Sequence, residues 1–194
     1  MTIEFFFNKK TPSDTGFFID CRMEGETDAD SFLRKFDTFC AEKTASCYGC
    51  IGCCQERVPV TSIDTTSLLE ALPSVAQSLS SLCENYLEIK KLPDGTLDIT
   101  LRRNPLGSCI FIDSENNCCL IHKHRPFACA SHHCLPRSDQ INRIRSEIIN
   151  QGMDELIKIM QQKNILGDIN PEDYPENIFS GKKSYKKILI NTQK

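Results

Sequence analysis

Closely spaced cysteines restrict the fold of this chain more than any other feature of its sequence. Four of the twelve cysteines fall within eight residues, and two of those four directly follow a glycine. They are Cys47, Cys50, Cys53 and Cys54. Glycine tolerates the backbone angles that a chain adopts when it wraps tightly around a metal ion. Two residues between cysteines is the interval of zinc sites, and three cysteines at such intervals also open the bacterial ferredoxin motif, so zinc and a 4Fe-4S cluster are both open.

A second group of cysteines extends the first to eight candidate metal ligands. It consists of Cys109, Cys119, Cys129 and Cys134. Eight thiols are enough for two four-ligand sites or for one site with spare thiols. Because Cys53 and Cys54 are adjacent, their side chains point to opposite sides of an extended backbone, so one of them would serve a second site or stay free. The spacing leaves open whether other side chains also ligate, namely Cys118, His122, His132 and His133.

The compartment of the protein decides whether these cysteines form disulfides or hold a metal. The first nineteen residues contain no basic segment followed by a long apolar stretch, so we expect no secretory signal. No run approaches the roughly 18 apolar residues that a membrane span needs. We therefore expect a cytoplasmic protein with reduced thiols and no membrane attachment. The net charge of -3, with mixed signs along the chain, offers no basic face for nucleic acid.

Charge balance favours a bound metal over a set of empty thiols. Crowded thiolates repel one another, and a bound cation lowers their pKa values and takes up their charge. A four-thiolate zinc site and a 4Fe-4S cluster in its 2+ state both keep about two negative charges. Lys123 and Arg125 lie within the second cysteine group. We expect them to offset this charge, with Arg125 as a residue that binds the cofactor.

Three ordered motifs give the chain a resemblance to a known family. They are Cys-x2-Cys-x2-Cys-Cys from Cys47 to Cys54, Cys109-x-Phe111-Ile112, and Cys119-x-Ile121-His122-x-x-Arg125-Pro126-x-x-Cys129. Together they resemble the YkgJ-type cysteine-cluster proteins, described as zinc- or iron-chelating, over residues 47–134. A similar cysteine arrangement occurs in flagellin lysine-N-methylases, and this resemblance favours an iron-sulfur cluster. The chain departs from the family at His122, where the family often has tyrosine, and at the additional Cys118.

Apolar periodicity and turn residues predict an α+β fold around the cysteine array. Near the N-terminus we expect strands at residues 3–7 and 17–19 and a helix over 31–43 capped by Asp30 or Ser31. A helix capped by Thr66 or Ser67 and a second helical stretch over 73–86 should follow, and then a hairpin over 87–101 around Asp94-Gly95. The last predicted elements are a strand pair at 109–112 and 119–121 and a long helix capped by Ser138. After residue 164 we expect irregular structure. We interpret Cys21, Cys40 and Cys83 as core residues rather than ligands.

These elements suggest a small, irregular, metal-nucleated domain with short β-hairpins and flanking helices. We expect a single domain over residues 1–194. Its metal-binding core would span about residues 44–136, preceded by strands and a helix in 1–43 and followed by a helix and tail in 137–194.

The cysteine array supports three classes of function. The first is a binding protein that holds an iron-sulfur cluster or zinc and has an accessory, sensing or structural role. Such a protein would act by binding a protein partner. The second is a metal- or cluster-dependent enzyme, although the sequence reveals no general base or pocket for it. The third is a thiol redox protein that uses Cys47 and Cys50, or Cys50 and Cys53, and no thioredoxin-like pattern flanks those pairs.

Overall fold

Helices and small antiparallel sheets alternate along the chain. The structure, a computed structural model, describes residues 2–9, 16–43, 51–74, 76–167 and 174–190. Within these ranges it contains five α-helices and four sheets, each made of two antiparallel strands. The predicted α+β class, with short hairpins and flanking helices, is therefore confirmed.

An N-terminal hairpin precedes the first helix. Strand β1 (Thr2–Lys9) pairs along its whole length with β2 (Phe17–Glu24), which confirms both predicted strands. Helix α1 (Ala29–Ala41) begins slightly earlier than predicted. Its cap is Asp28, whose carboxylate accepts a hydrogen bond from the Ser31 N–H at 2.8 Å.

Phenylalanine rings fill the space between the hairpin and α1. Phe32 and Phe36 lie about one turn apart on the buried face of α1, and neither has exposed surface. The ring of Phe5 in β1 lies 5.5 Å from that of Phe32 and 5.1 Å from that of Phe36, measured between centroids. Cys40 lies on the same face of the helix and is also fully buried, as the prediction of a core cysteine requires.

Two further helices lead into the predicted hairpin. Helix α2 spans Ser62–Ala71 and helix α3 spans Leu79–Tyr86. Strands β4 (Leu87–Lys91) and β5 (Leu97–Leu101) form the hairpin, which confirms that prediction. Gly95 in its turn has a φ of +88°, a left-handed conformation that glycine adopts without steric cost.

The cap of α2 is Thr61, so the prediction of Thr66 or Ser67 is wrong. Thr61 Oγ1 accepts the Asp64 N–H at 3.2 Å, and Asp64 Oδ2 accepts the Thr61 N–H at 2.9 Å. This reciprocal capping box satisfies two backbone donors at the start of the helix. Asp64 is only 2 % exposed. The start of α2 is therefore decided by the buried contacts of this carboxylate and not by local sequence alone.

The cysteine-bearing middle of the chain forms short elements. Strands β6 (Ile112–Asp113) and β7 (Cys118–Cys119) pair over two residues, a shorter ladder than predicted. Helix α4 (Phe127–Ala130) is a single turn. Helix α5 (Asp139–Gln162) follows the predicted cap Ser138. No helix within the described ranges combines the length and apolarity needed to cross a membrane.

The end of the described chain returns to its N-terminal part. Strand β8 (Leu189–Ile190) pairs with β3 (Thr27–Asp28), and the Ala29 N–H donates to the Ile188 carbonyl at 2.9 Å. Phe179 is fully buried. The expectation of irregular structure after residue 164 misses this strand pair, because a strand of two residues is too short to show alternation.

Two apolar cores organise the fold. The first core contains Val60, Leu68, Leu82, Ile99, Cys109 and Leu156, with Cys54, Cys119 and Cys129 packed against it. The second core contains Ile19, Phe32, Phe36, Phe127, Ile141 and Phe179. Helix α5 contributes side chains to both cores. These four candidate ligand cysteines are thus part of the first core rather than a surface appendage.

Candidate metal centre

Five of the eight predicted ligand cysteines come together from four separate places in the chain. Cys53 and Cys54 lie in the 3-10 turn Gly52–Gln55, Cys109 follows β5, Cys119 ends β7, and Cys129 lies in α4. We call these residues the five-thiol cluster. The Cys109 N–H donates to the Cys54 carbonyl at 2.7 Å, which joins the first cysteine group directly to the second.

A tight turn brings Cys109 to the cluster. The Asn104 side chain accepts the N–H groups of Leu106 and Ser108 at 3.0 and 3.1 Å, and the Asn104 N–H donates to the Ser108 carbonyl at 2.7 Å. Gly107 in this turn has a φ of +81°, a backbone conformation that residues with a Cβ rarely adopt. The chain therefore reverses after β5, and Cys109 runs back alongside Arg103.

The five thiols are close enough to oppose one another's ionisation. Burial, together with the charges of Cys53, Cys109 and Cys119, raises the pKa of Cys54 to about 12. Burial also raises the pKa of Cys129, and Cys109, Cys53 and Cys119 raise it further. A cation among these groups would reverse the effect, because it takes up the thiolate charge and lowers the pKa of each coordinating thiol.

Arg125, the predicted cofactor-binding arginine, lies beside the cluster. Burial raises the pKa of Cys119, and the positive charge of Arg125 offsets part of that rise. The guanidinium is held in place by the Asp37 carboxylate at 3.2 Å and by His122 Nε2 at 3.2 Å. His122 is thus a hydrogen-bonding neighbour of Arg125 in this structure.

Arg145 is a second cation beside the cluster, and sequence reasoning missed it. Its Nε donates to Ser131 Oγ at 2.8 Å, and its Nη2 donates to the Ala128 carbonyl at 3.2 Å. Burial lowers the pKa of Arg145 to about 10, and the nearby Cys129 works in the opposite direction. The signal in the sequence is weak, because Arg145 belongs to a long helix in which charged residues are ordinary.

The remaining candidate ligands lie in different surroundings. Cys134 is exposed and lies near the charged side chain of Arg137. His133 is 8 % exposed, its Nε2 lies 3.5 Å from an Asp37 oxygen, and its ring meets Phe36 of the second core edge-on. Burial lowers the pKa of His132, as it does for His133. Ligation by these residues stays a prediction.

The first two predicted ligands, Cys47 and Cys50, fall in residues 44–50 and lie outside the described residues. Among the residues that the structure describes, no three histidine, cysteine, aspartate or glutamate side chains are arranged so that they could hold one metal ion. The chemistry of the five-thiol cluster nevertheless fits a soft metal. Thiolates suit zinc and iron-sulfur clusters, whereas magnesium and calcium prefer oxygen ligands.

The three cysteines interpreted as core residues are indeed buried: Cys21 is 4 %, Cys40 0 % and Cys83 6 % exposed. For Cys83, burial and then the charge of Glu84 raise the pKa from its ordinary 9.0 to about 11.

This pKa shift predicts a loss of stability at alkaline pH. Between pH 9.0 and about 11 the Cys83 thiol ionises in the unfolded chain but stays protonated in the folded one. The contribution of the thiol to stability is therefore complete below pH 9.0, and it is lost as pH rises through the pKa of the folded state. Urea unfolding measures the free energy of unfolding at about pH 8 and about pH 10. Between the two conditions this free energy should fall by roughly 1 kcal/mol less in Cys83→Ala than in the wild type. An equal loss in both proteins would contradict the prediction.

The chain matches the model of a known family. A family model named CxxCxxCC, described as "Putative zinc- or iron-chelating domain", matches residues 46–151, which is more than half of the chain. The match includes every cysteine of the five-thiol cluster as well as Cys47, Cys50 and Cys134. No curated protein and no solved structure matches the chain.

Proposed function

Because the chain belongs to the CxxCxxCC family, we propose that its function is to hold a metal centre on cysteine thiolates, a 4Fe-4S cluster in the first place and zinc in the second. The observation that carries this proposal is the five-thiol cluster, in which cysteines distant in sequence oppose one another's ionisation within one apolar core. The ligands would be drawn from this cluster together with Cys47 and Cys50. Cys134, which is exposed, would be a peripheral member of the set.

The surrounding charges support an anionic centre. Arg125 lies beside Cys119 and Arg145 lies beside Cys129. Arg125 already pairs with Asp37, whereas burial lowers the pKa of Arg145, and burying a guanidinium is costly unless an anion compensates it. A four-thiolate zinc ion or a 4Fe-4S cluster in its 2+ state would supply about two negative charges. The two arginines would then be stabilised by the centre, and the centre by the arginines.

The number and order of the thiols favour a cluster over a single zinc ion. Cys47, Cys50 and Cys53 follow one another at the two-residue intervals of the bacterial ferredoxin motif. One tetrahedral zinc ion takes only four of the available thiols. The others would then either form a second site or surround the first. A bound cluster would supply electron transfer or sensitivity to oxidants, and bound zinc would supply structural rigidity.

The pKa values of three cluster thiols oppose a redox role for those thiols. A redox-active cysteine needs a lowered pKa, so that its thiolate is present at neutral pH. Burial and mutual repulsion instead raise the pKa values of Cys54, Cys109 and Cys129. We therefore propose an accessory, sensing or structural role in which the metal centre, rather than a free thiol, carries the function.

Metal and acid-labile sulfide analysis of protein purified without oxygen tests the proposal. We expect about four iron and four sulfide per chain, with broad visible absorption. If the analysis finds one or two zinc ions and no sulfide, the thiolate centre holds zinc instead of an iron-sulfur cluster. Protein that contains neither metal, even after anaerobic incubation with iron and sulfide or with zinc, would overturn the proposed function.

A further inference from the structure

Asp64 is a buried carboxylate with three hydrogen-bond donors from three parts of the chain. Its Oδ2 accepts the Thr61 N–H at 2.9 Å, and its Oδ1 accepts the Phe127 N–H at 2.9 Å and the Tyr185 hydroxyl at 2.8 Å. Phe127 lies two residues before Cys129, so the carboxylate lies near the five-thiol cluster. A carboxylate this deeply buried is tolerated only when such donors replace the lost water.

Asp64 fixes the start of α4, the turn that carries Cys129. Phe127 is the first residue of this helix, and its N–H is one of the donors that a helix start leaves without an internal partner. A helix of four residues is far too short to be stable by itself. Arg145 holds its other end through the Ala128 carbonyl and Ser131. The position of Cys129 therefore depends on contacts at both ends of α4.

Tyr185 completes the arrangement from the far end of the chain. Its hydroxyl lies 2.6 Å from Thr61 Oγ1 and donates its single proton to Asp64, so the Thr61 hydroxyl must donate to Tyr185. The Tyr185 ring also packs on Phe127, with centroids 5.1 Å apart. Both the hydroxyl and the ring of this residue thus contact the elements that place α4.

Residues 177–190, which we call the C-terminal clasp, hold Tyr185 in this position. The Asn177 side-chain amide donates to the Gln151 carbonyl of α5 at 2.9 Å, and β8 at the other end pairs with β3. Gly152 lets the clasp come close, because a Cβ there would lie 2.6 Å from Thr61 and 2.9 Å from Phe179. The clasp lies beyond residue 151, where the family match ends.

We propose that Tyr185 is a positioning residue for Cys129, acting through Asp64 on the start of α4; this inference rests on the proposed function, in which Cys129 is a metal ligand. The C-terminal clasp is then part of the metal site although it contributes no ligand. A chain that lacked the clasp would keep all eight candidate cysteines and still hold its metal less firmly.

The variant Tyr185→Phe tests this inference in the full-length protein, because it removes the hydroxyl and keeps the ring. We expect amide deuterium exchange in peptides spanning α4 to become about tenfold faster, the change that loss of one buried hydrogen bond produces. Peptides spanning β5 should exchange as in the wild type. We also expect the metal to be lost to excess EDTA about tenfold faster, since supporting groups of this kind change metal affinity by about 10- to 100-fold.

Tyr86→Phe is the matched control, because it also removes one tyrosine hydroxyl. The Tyr86 ring stacks on Phe111 in the first core, and Tyr86 is not one of the three residues that donate to Asp64. Tyr86→Phe should change neither exchange nor metal loss. Faster exchange of β5 and α4 alike in Tyr185→Phe would show a general loss of stability and overturn the inference. Unchanged exchange of α4 would also overturn it, whether or not metal is bound. Wild-type protein without metal would instead overturn the proposed function.

Discussion

Removing the metal from the purified protein is expected to abolish cooperative unfolding of the first core. Structural thiolate sites contribute on the order of 10 to 16 kcal/mol in small zinc peptides, which is comparable with the whole stability of a domain. Here Cys109 belongs to the first core, and Cys54, Cys119 and Cys129 pack against it. Strands of two residues and a helix of one turn connect these cysteines. Such short elements have too few internal hydrogen bonds to persist by themselves if the metal joins them, as we propose, and is then removed.

Calorimetry and deuterium exchange before and after chelation measure this effect. The metal-free protein should lose the sharp melting transition, and peptides around Cys109 and Cys129 should exchange faster. The β1–β2 hairpin is the internal control, because Phe5 packs on Phe32 and Phe36 in the second core. Slow exchange should persist there. A metal-free protein with an unchanged cooperative melt would show that the fold does not depend on the metal.

The elements that could be predicted from the sequence are those whose signals are local. The β4–β5 hairpin follows from alternating apolar residues around Asp94 and Gly95, and its closing hydrogen bond runs from the Leu92 N–H to the Thr96 carbonyl at 2.8 Å. The start of α5 follows from Ser138, which accepts the Ile141 N–H. In both cases the residues that decide the structure lie within a few positions of one another.

The start of α2 has a local signal, the capping-box spacing of Thr61 and Asp64, but the contacts that bury Asp64 are distant. Thr61 and Thr66 are both acceptable helix caps from their local sequence. The choice of Thr61 depends on Asp64, whose other donors are Phe127, 63 residues away, and Tyr185, 121 residues away. A sequence read in short windows contains no trace of these contacts. Distance along the chain also hides the pairing of β8 with β3, whose residues are more than 150 positions apart.

The composition of the site could be predicted more fully than its geometry. Short intervals in the first cysteine group and the motifs of the second named Cys53, Cys54, Cys109, Cys119 and Cys129 as candidate ligands, and their ligation stays a prediction. Spacing could not distinguish these residues from Cys134, which is exposed. It also gave no reason to select Arg145 or Asp64, since neither lies within a cysteine motif. Groups that support a site rather than bind the metal are recognised only once the fold brings them together.

Two cysteine variants are expected to differ widely in metal binding. Cys109 and Cys83 are both buried in the first core, with exposures of 9 % and 6 %. Cys109 raises the pKa values of Cys54 and Cys129, whereas the charged neighbour of Cys83 is Glu84. We expect Cys109→Ala to weaken metal binding by more than the roughly 10- to 100-fold that loss of a supporting group costs. Cys83→Ala should leave the metal content unchanged.

Metal content per chain and competition with EDTA measure the difference, and the melting transition shows whether packing contributes to it. Each variant removes one buried sulfur, so the packing loss should be similar, at roughly 1 kcal/mol. If the metal content falls equally in both variants, the loss reflects damage to the first core rather than removal of a ligand. If Cys109→Ala keeps its full metal content, Cys109 is not a ligand, and the centre must be assigned to the remaining thiols with Cys47 and Cys50.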